Sequence, residues 1–265
     1  MTGVAIVLVL GSAFLHATWN ARANEGRDRP VELAIAYAVG AVVLSPWLVA
    51  DPPTEVLGLM VLSGLAHGGY ITFLAQAYRR GGLATTYPLA RGTAPLLVAG
   101  AGVWLLDQAP SLTTVVGASI VALGLAVIGG VAWGIGERGA IGMALVTGGF
   151  IATYTLLDAR GVEETGELAY FAGASIVAVI LVLVTERVSP GRLRASWRPG
   201  LEIGIFSTAA YALVLLAYNR ADAANVATLR GTSILFGFVL VRRTVTRRLV
   251  VGGLAVVTGA VLVAL

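Results

Sequence analysis

Two arginines lie in the middle of long apolar stretches, and each is followed by the same two residues. Arg91 stands in the stretch YPLARGTAPLL at residues 87–97, and Arg230 stands in ATLRGTSILFG at residues 227–237. A guanidinium carries five donors in a fixed fork that matches a carboxylate or a phosphate. The pair therefore indicates binding of an anionic group. The alternative is that each arginine binds backbone carbonyls freed by a break in its own helix.

Histidines, tyrosines and an asparagine inside apolar sequence are the other candidates for this site. His16 and His67 are the only histidines of the chain. Each is interpreted either as an interhelical hydrogen-bond partner or as a proton-coupling group, because an unperturbed imidazole titrates near neutral pH. The inner tyrosines either line a cavity or pack with a satisfied hydroxyl. The candidate substrate-binding residues are Arg91, Arg230, His16, His67, Tyr70, Tyr87, Asn20, Tyr154 and Tyr211.

Two prolines stand close to Arg91 in the sequence. Pro88 and Pro95 are seven residues apart and so share one face of a helix. Proline lacks the backbone N–H that continues an α-helical ladder, so this helix is expected to bend. The matching positions near Arg230 hold Ala227 and Ile234, and that helix is not expected to bend. Pro88 and Pro95 are therefore the candidate gating residues.

The composition indicates a membrane protein. Hydrophobic residues make up 57% of the chain, charged residues 12%, and the mean hydropathy is +0.87, whereas a soluble domain has about 25% charged residues. All 18 basic residues are arginines, and their placement follows a membrane rather than a nucleic-acid surface. Since cysteine is absent, disulfides and thiolate metal sites are excluded. Neither a metal nor a cofactor is expected.

Ten apolar runs are long enough to cross a bilayer, which takes about 20 residues. They are residues 3–22, 30–49, 56–78, 82–105, 112–131, 139–158, 168–185, 200–219, 222–241 and 247–265. The first run lacks the basic leader and the small-residue cleavage site of a signal peptide, so it is expected to remain in the mature protein. The connections are too short for a separate soluble domain. An all-α integral membrane protein with ten transmembrane helices is predicted.

Charge alternates from one loop to the next. Loops after odd-numbered segments hold 14 arginines, whereas loops after even-numbered segments hold two arginines and eight acids, among them Asp158. By the positive-inside rule the odd-numbered loops face the cytoplasm. Both termini are therefore expected on the other side of a plasma (inner) membrane that the chain crosses many times.

The chain also repeats itself at separations between 135 and 139 residues. The matched pairs are Arg91 with Arg230, His16 with Tyr154, Asn20 with Asp158, Gly117 with Gly252 and Gly124 with Gly259. Because each copy holds an odd number of crossings, the second copy enters the membrane from the opposite side. The prediction is two inverted five-helix repeats, residues 1–134 and 135–265, with a substrate site between them near the midplane.

Three stretches resemble a known family. GSAFLHATWNARAN, AYRRGGLATTYPLARGTAPLL and ANVATLRGTSILFG are similar to the EamA-domain transporters of the drug/metabolite transporter superfamily, and the similarity runs over essentially the whole chain. It implies the same two repeats and the export or import of small metabolites, which in this family include amino acids, sugars, nucleotide derivatives and drugs. Relatives often carry a glutamate after the second-repeat arginine, where this chain has Gly231.

These observations predict a secondary transporter that moves a small amino-acid-like, anionic or zwitterionic metabolite through a central cavity by alternating access. An ATP-driven pump is excluded because no Gly-x-x-x-x-Gly-Lys loop is present. The alternatives are a membrane-embedded enzyme, which would need a nucleophile with its base or paired carboxylates, and a flippase for a lipid-linked substrate. The expected partners are the substrate, the lipid bilayer and a coupling proton or ion, without nucleic acid, and the chain is expected to be a monomer or a homodimer.

Overall fold

The computed structural model describes residues 1–130, 138–240 and 245–265, excluding the side chains of residues 24, 78–86 and 138. Helices α1 to α5 span Gly3–Glu25, Arg29–Ala50, Leu57–Leu105, Leu112–Gly129 and Arg138–Val162. Helices α6 to α10 span Glu167–Thr185, Pro190–Tyr218, Ala223–Leu229, Ser233–Leu240 and Arg247–Ala264. The predicted boundary after residue 134 and the loop arginines Arg242 and Arg243 lie outside the described residues.

Short polar side chains and a glycine mark several helix ends. In α1, α4, α7 and α10 a hydroxyl accepts the backbone N–H three residues later, which satisfies one of the free amides of the first turn. These hydroxyls belong to Thr2, Ser111, Ser189 and Thr246. Gly130 ends α4 with a φ of 59°, the left-handed conformation that favours glycine. Helix α7 begins at Pro190 rather than at the predicted residue 200, so basic residues expected in a loop lie on a helix.

Nine helices of the described ranges are long and apolar enough to cross a membrane. The remaining predicted crossing, residues 82–105, is the second half of α3, which is assigned as one helical segment of 49 residues. A straight helix of that length would extend about 74 Å, whereas the hydrocarbon core of a bilayer is about 30 Å thick. Helix α3 therefore cannot be a single straight crossing.

The two halves of α3 fold back on each other. The His67 ring stacks on Tyr154 of α5 with ring centroids 4.0 Å apart. A methyl group on Gly102 would lie 3.8 Å from Cδ2 of Leu156, in the same turn of α5. In a straight helix His67 and Gly102 would be about 52 Å apart. The reversal lies between these two residues, and the fourth predicted segment is therefore a second crossing.

The segment around Arg230 contains a local change of helix type. A 3₁₀ turn at Arg230–Thr232 separates α8 from α9, although no proline lies there. Leu229, Arg230 and Ser233 keep right-handed helical backbone angles, so the absence of a bend in this helix stays a prediction. A 3₁₀ turn within a crossing is a common place for a hinge or a functional site.

Reciprocal packing relates the two halves of the chain. A methyl group on Gly117 of α4 would lie 2.7 Å from the carbonyl oxygen of Gly259 of α10, and one on Gly259 would lie 2.5 Å from that of Gly117. Gly124 and Gly252 face each other in the same way. Such a self-complementary contact is the mark of a two-fold axis.

The other helix contacts follow the same relation. Two pairs of contacts correspond to each other. The packing of α2 on α7 corresponds to that of α6 on α3, and the packing of α1 on α7 corresponds to that of α5 on α3. The exchange agrees with the repeat read from the sequence, in which α1 corresponds to α5 and α2 to α6. The predicted all-α membrane fold is confirmed. The division of the chain at residue 134 stays a prediction.

Candidate functional site

An internal cavity lies between α1, α2, α3, α5, α6, α7 and the 3₁₀ turn. Its wall contains six aromatic side chains, which are Trp19, Tyr37, Tyr70, Tyr154, Phe171 and Tyr211. His16 and Arg230 add the ionisable groups of the wall. The volume open to the centre of a water molecule is about 40 Å³, which is room for about three waters. The cavity is therefore small.

Arg91 is buried beside His16 and Tyr87. One terminal nitrogen of its guanidinium lies 3.1 Å from Nδ1 of His16 and also contacts Nε2. The Tyr87 hydroxyl is 2.8 Å from the same Nε2, and the Tyr87 ring centroid is 5.9 Å from the Arg91 guanidinium carbon. Arginine can only donate, so His16 accepts from it as a neutral imidazole. These contacts join α1 to the second half of α3.

Arg230 is buried in the cavity wall and lacks a polar partner. Its side chain is 4% exposed, and its guanidinium carbon lies 5.5 Å from the centroid of the Tyr211 ring. Its Nε is buried without a hydrogen bond. Within the described part of the chain, Arg230 makes no ion pair and no side-chain hydrogen bond. A guanidinium with unused donors in a cavity wall is suited to bind an anion.

Both arginines act on the same region of the cavity. His16, Tyr70 and Tyr154 each lie within electrostatic range of both guanidinium groups. In the described ranges neither Arg91 nor Arg230 donates to a backbone carbonyl, which was the alternative role considered for them. The two equivalent positions differ, however, since Arg91 already has partners and Arg230 does not.

A second polar cluster surrounds Asp158 at the back of the cavity. The carboxylate accepts hydrogen bonds from the hydroxyls of Ser63 and Tyr211, and its Oδ2 lies 3.0 Å from Nε2 of His67. His67 and Asp158 are each 1% exposed. On the other side of the imidazole, Nδ1 lies 2.8 Å from the hydroxyl of Tyr37. The cluster therefore connects a buried carboxylate to the cavity wall.

Asp158 corrects a statement made from the sequence. It was assigned to a loop, but Asp158 is buried within α5, which continues to Val162 instead of ending at residue 158. The extra turn places the carboxylate inside the helix bundle. The internal repeat gave a signal, because Asp158 occupies the position equivalent to the candidate Asn20. Tyr37 and Ser63 carried no such signal and were missed.

The remaining candidates divide into those at the cavity and those away from it. Tyr70, Tyr154 and Tyr211 line the wall as proposed, Tyr87 reaches it through His16, and His67 lies behind it. Asn20 is half-buried and is not among the lining residues, whereas its neighbour Trp19 is. Pro88 and Pro95 are buried in α3 on either side of Arg91, and their gating role stays a prediction.

Comparison with known proteins identifies the class. The model of the EamA-like transporter family matches residues 138–265. A solved crystal structure superposes with a TM-score of 0.78 over 99% of this chain and 96% of its own, at 18% sequence identity, which shows a shared fold. No curated protein matches the sequence. Residues 138–265 are therefore an EamA-like transporter family domain, a family that belongs to the drug/metabolite transporter superfamily, and the described helices are long and apolar enough for a multi-pass membrane protein.

Proposed function

We propose that this protein is a secondary transporter of the plasma membrane that carries a small anionic or zwitterionic metabolite, such as an amino acid, by alternating access. The observation that supports this substrate class is the state of Arg230, a buried guanidinium in the cavity wall without a polar partner in the described chain. An unpaired buried charge is costly. A carboxylate or phosphate in the cavity would remove that cost and form charge-assisted hydrogen bonds.

The rest of the wall favours an organic ion over an inorganic one. Six aromatic rings surround the cavity, and aromatic faces attract both apolar groups and ammonium groups. An amino acid would place its carboxylate on Arg230 and its ammonium group over the rings of Tyr154 and Tyr211. No carboxylate lines the wall in the described ranges, so a compound with only positive charge has no counterion there.

The size of the cavity supports a change of shape during transport. Ligand pockets generally measure about 300–1,000 Å³, and the cavity as it stands is too small for an amino acid. Binding therefore requires the helices around it to move apart. The 3₁₀ turn at Arg230–Thr232 lies in the wall and carries the unpaired charge. A ligand bound to Arg230 would therefore contact a segment of the kind that often serves as a hinge.

Thermal unfolding of the purified protein with L-glutamate, L-leucine, inorganic phosphate or choline tests the substrate class. We expect stabilisation by a compound with a carboxylate or phosphate, since a ligand at 100 times its Kd adds about 2.7 kcal/mol. Arg230→Met should lower the affinity for that compound by at least about tenfold, given 1.5–3 kcal/mol for a charged hydrogen bond. Arg220→Met is the matched control, because Arg220 is exposed. Stabilisation by choline alone, or equal affinity in wild type and Arg230→Met, would contradict the proposal.

A further inference from the structure

A chain of hydrogen bonds leads from the cavity into the protein through His67. Tyr37 lines the cavity, and its hydroxyl lies 2.8 Å from His67 Nδ1. The other ring nitrogen lies 3.0 Å from Oδ2 of Asp158. The imidazole lies between the Tyr37 hydroxyl, which can donate or accept a hydrogen bond, and the Asp158 carboxylate, which can only accept when it is ionised.

The carboxylate determines where the protons lie in this chain. Asp158 accepts from Ser63 and Tyr211 and, as an ionised group, takes a third hydrogen bond from Nε2–H of His67. In a neutral imidazole Nδ1 is then the bare nitrogen and accepts the hydrogen of Tyr37. The Tyr37 hydrogen is thus directed away from the cavity while His67 is neutral.

We propose that Nδ1 of His67 is the binding site of a coupling proton and that occupation of this site turns the Tyr37 hydrogen toward the substrate. This inference rests on the proposed transport function. The Tyr37 O–H bond breaks as its hydrogen forms the Nδ1–H bond, and the Tyr37 oxygen takes a replacement hydrogen as an O–H bond of a hydrated proton in the cavity breaks, without transfer of electrons. Nδ1–H then donates to the Tyr37 oxygen. The hydroxyl hydrogen can no longer point at His67 and becomes a donor in the cavity wall.

The surroundings of His67 leave the cluster able to take up this charge. The ionisable groups around the cluster are Tyr37 on α2, Tyr70 and Arg91 on α3, Tyr154 on α5, Tyr170 on α6, Tyr211 and Tyr218 on α7, and Arg230 in the 3₁₀ turn. In the described ranges Asp158 is the one carboxylate among them. A proton on His67 therefore completes a buried ion pair with Asp158, and the tyrosines stay neutral.

Proton binding and anion binding then favour each other. The protonated cluster adds one positive charge near Arg230 and one hydroxyl donor at Tyr37, and both changes stabilise an anion in the cavity. Linkage is reciprocal, so an anion that binds must also increase proton binding at His67. The expected process is movement of proton and substrate in the same direction.

Nuclear magnetic resonance of ¹⁵N-histidine-labelled protein tests the proton site without any substrate. The chain has only two histidines, and His16→Gln assigns the signals. As the pH is lowered over the range in which the protein stays folded, we expect the His67 Nδ1 signal to move from the bare to the protonated position while Nε2 stays protonated. A His67 that remains neutral throughout, or that carries its neutral-state proton on Nδ1, would overturn the proposal.

One variant keeps the test specific. Tyr37→Phe retains the ring and removes the hydroxyl, so the contribution of the turned hydroxyl is lost while the charge on His67 can still form. In wild type the affinity for L-glutamate at pH 6 should exceed that at pH 8 by at least about fivefold, and in Tyr37→Phe this ratio should be clearly smaller. A pH effect of unchanged size in Tyr37→Phe would contradict the turning hydroxyl. Failure of L-glutamate to bind would count against the proposed function, whereas the titration of His67 decides the proton site alone.

Discussion

Arg230 lies over Tyr211, with 5.5 Å between its guanidinium carbon and the ring centroid. The same tyrosine donates its hydroxyl hydrogen to Asp158. One aromatic side chain therefore separates the unpaired cation of the cavity from the buried carboxylate behind it. Arg230 and Asp158 are held apart, so the cation stays available to a ligand instead of being neutralised by the protein.

The two equivalent arginines should respond in opposite ways to replacement by methionine. Arg230→Met removes a buried charge without a polar partner and should leave the free energy of unfolding unchanged or raise it, as hydrophobic replacements of buried charges often do by 1–4 kcal/mol. Arg91→Met leaves His16 and Tyr87 short of a partner and should destabilise by about 1–3 kcal/mol. Thermal unfolding of both purified variants without ligand measures the difference. Equal losses in both would show that Arg230 has a structural role.

Asp158 should be far more important for folding than its repeat equivalent Asn20. Asp158→Ala leaves His67, Ser63 and Tyr211 without their shared acceptor and should cost about 3–5 kcal/mol, as removal of one member of a buried polar group does. Asn20→Ala alters a half-buried side chain and should change stability by less than about 1 kcal/mol. The fraction of monodisperse protein after a temperature series reports both. Comparable losses would mean that the Asp158 cluster contributes little.

Two adjacent glycines provide a test of the packing between α3 and α5. A methyl group on Gly148 would lie 2.9 Å from the carbonyl oxygen of Ala90 and against Thr93, so Gly148→Ala must push apart the turn that carries Arg91. Gly149 has no atom within 4 Å of that position, and Gly149→Ala should be neutral or stabilise the helix by about 0.5–1 kcal/mol. We expect loss of folded yield and of ligand affinity only in Gly148→Ala. The pair should be compared in one unfolding experiment, where a harmless Gly148→Ala would argue against this contact.

Asp28 and Arg192 connect the loop after α1 to the start of α7. Nε and Nη2 of Arg192 donate to the two carboxylate oxygens of Asp28 at 2.7 and 2.9 Å. The pair is partly exposed, so a double-mutant cycle with Asp28→Asn and Arg192→Gln should give a coupling of about 0.2–1 kcal/mol.

Because the chain lacks cysteine, Ser207→Cys in the cavity wall can report access to thiol reagents. Labelling should be faster when Asp28 is replaced by Asn, and an unchanged rate would show that this ion pair does not restrict access.

The fold and the two arginines of the site could be predicted from the sequence, and the physical reasons are clear. Long apolar runs and alternating loop charge follow directly from the cost of placing charge in a bilayer. Arg91 and Arg230 were evident because a guanidinium is conspicuous in apolar sequence. The helix reversal within α3 was also predicted, since a bilayer is too thin for its apolar length.

The polar cluster at the back of the cavity was harder to foresee. Asp158 lies near the end of an apolar run, and the run did not reveal that α5 continues to Val162. Tyr37 and Ser63 belong to other helices, and only tertiary packing brings them to His67 and Asp158. The 3₁₀ turn at Arg230–Thr232 could not be predicted either, because it contains no proline.

The inequality of the two halves has a consequence for the resting state of the protein. If two inverted repeats were identical, exchanging their conformations would turn an inward-facing molecule into an outward-facing one of equal energy. Here one arginine is tied to His16 and the other is free, and the 3₁₀ turn occurs at the second. In the proposed alternating-access cycle the two facing states would therefore differ in energy, and without substrate or a gradient the molecules would accumulate on one side of the equilibrium. The two half-cycles would then have different barriers.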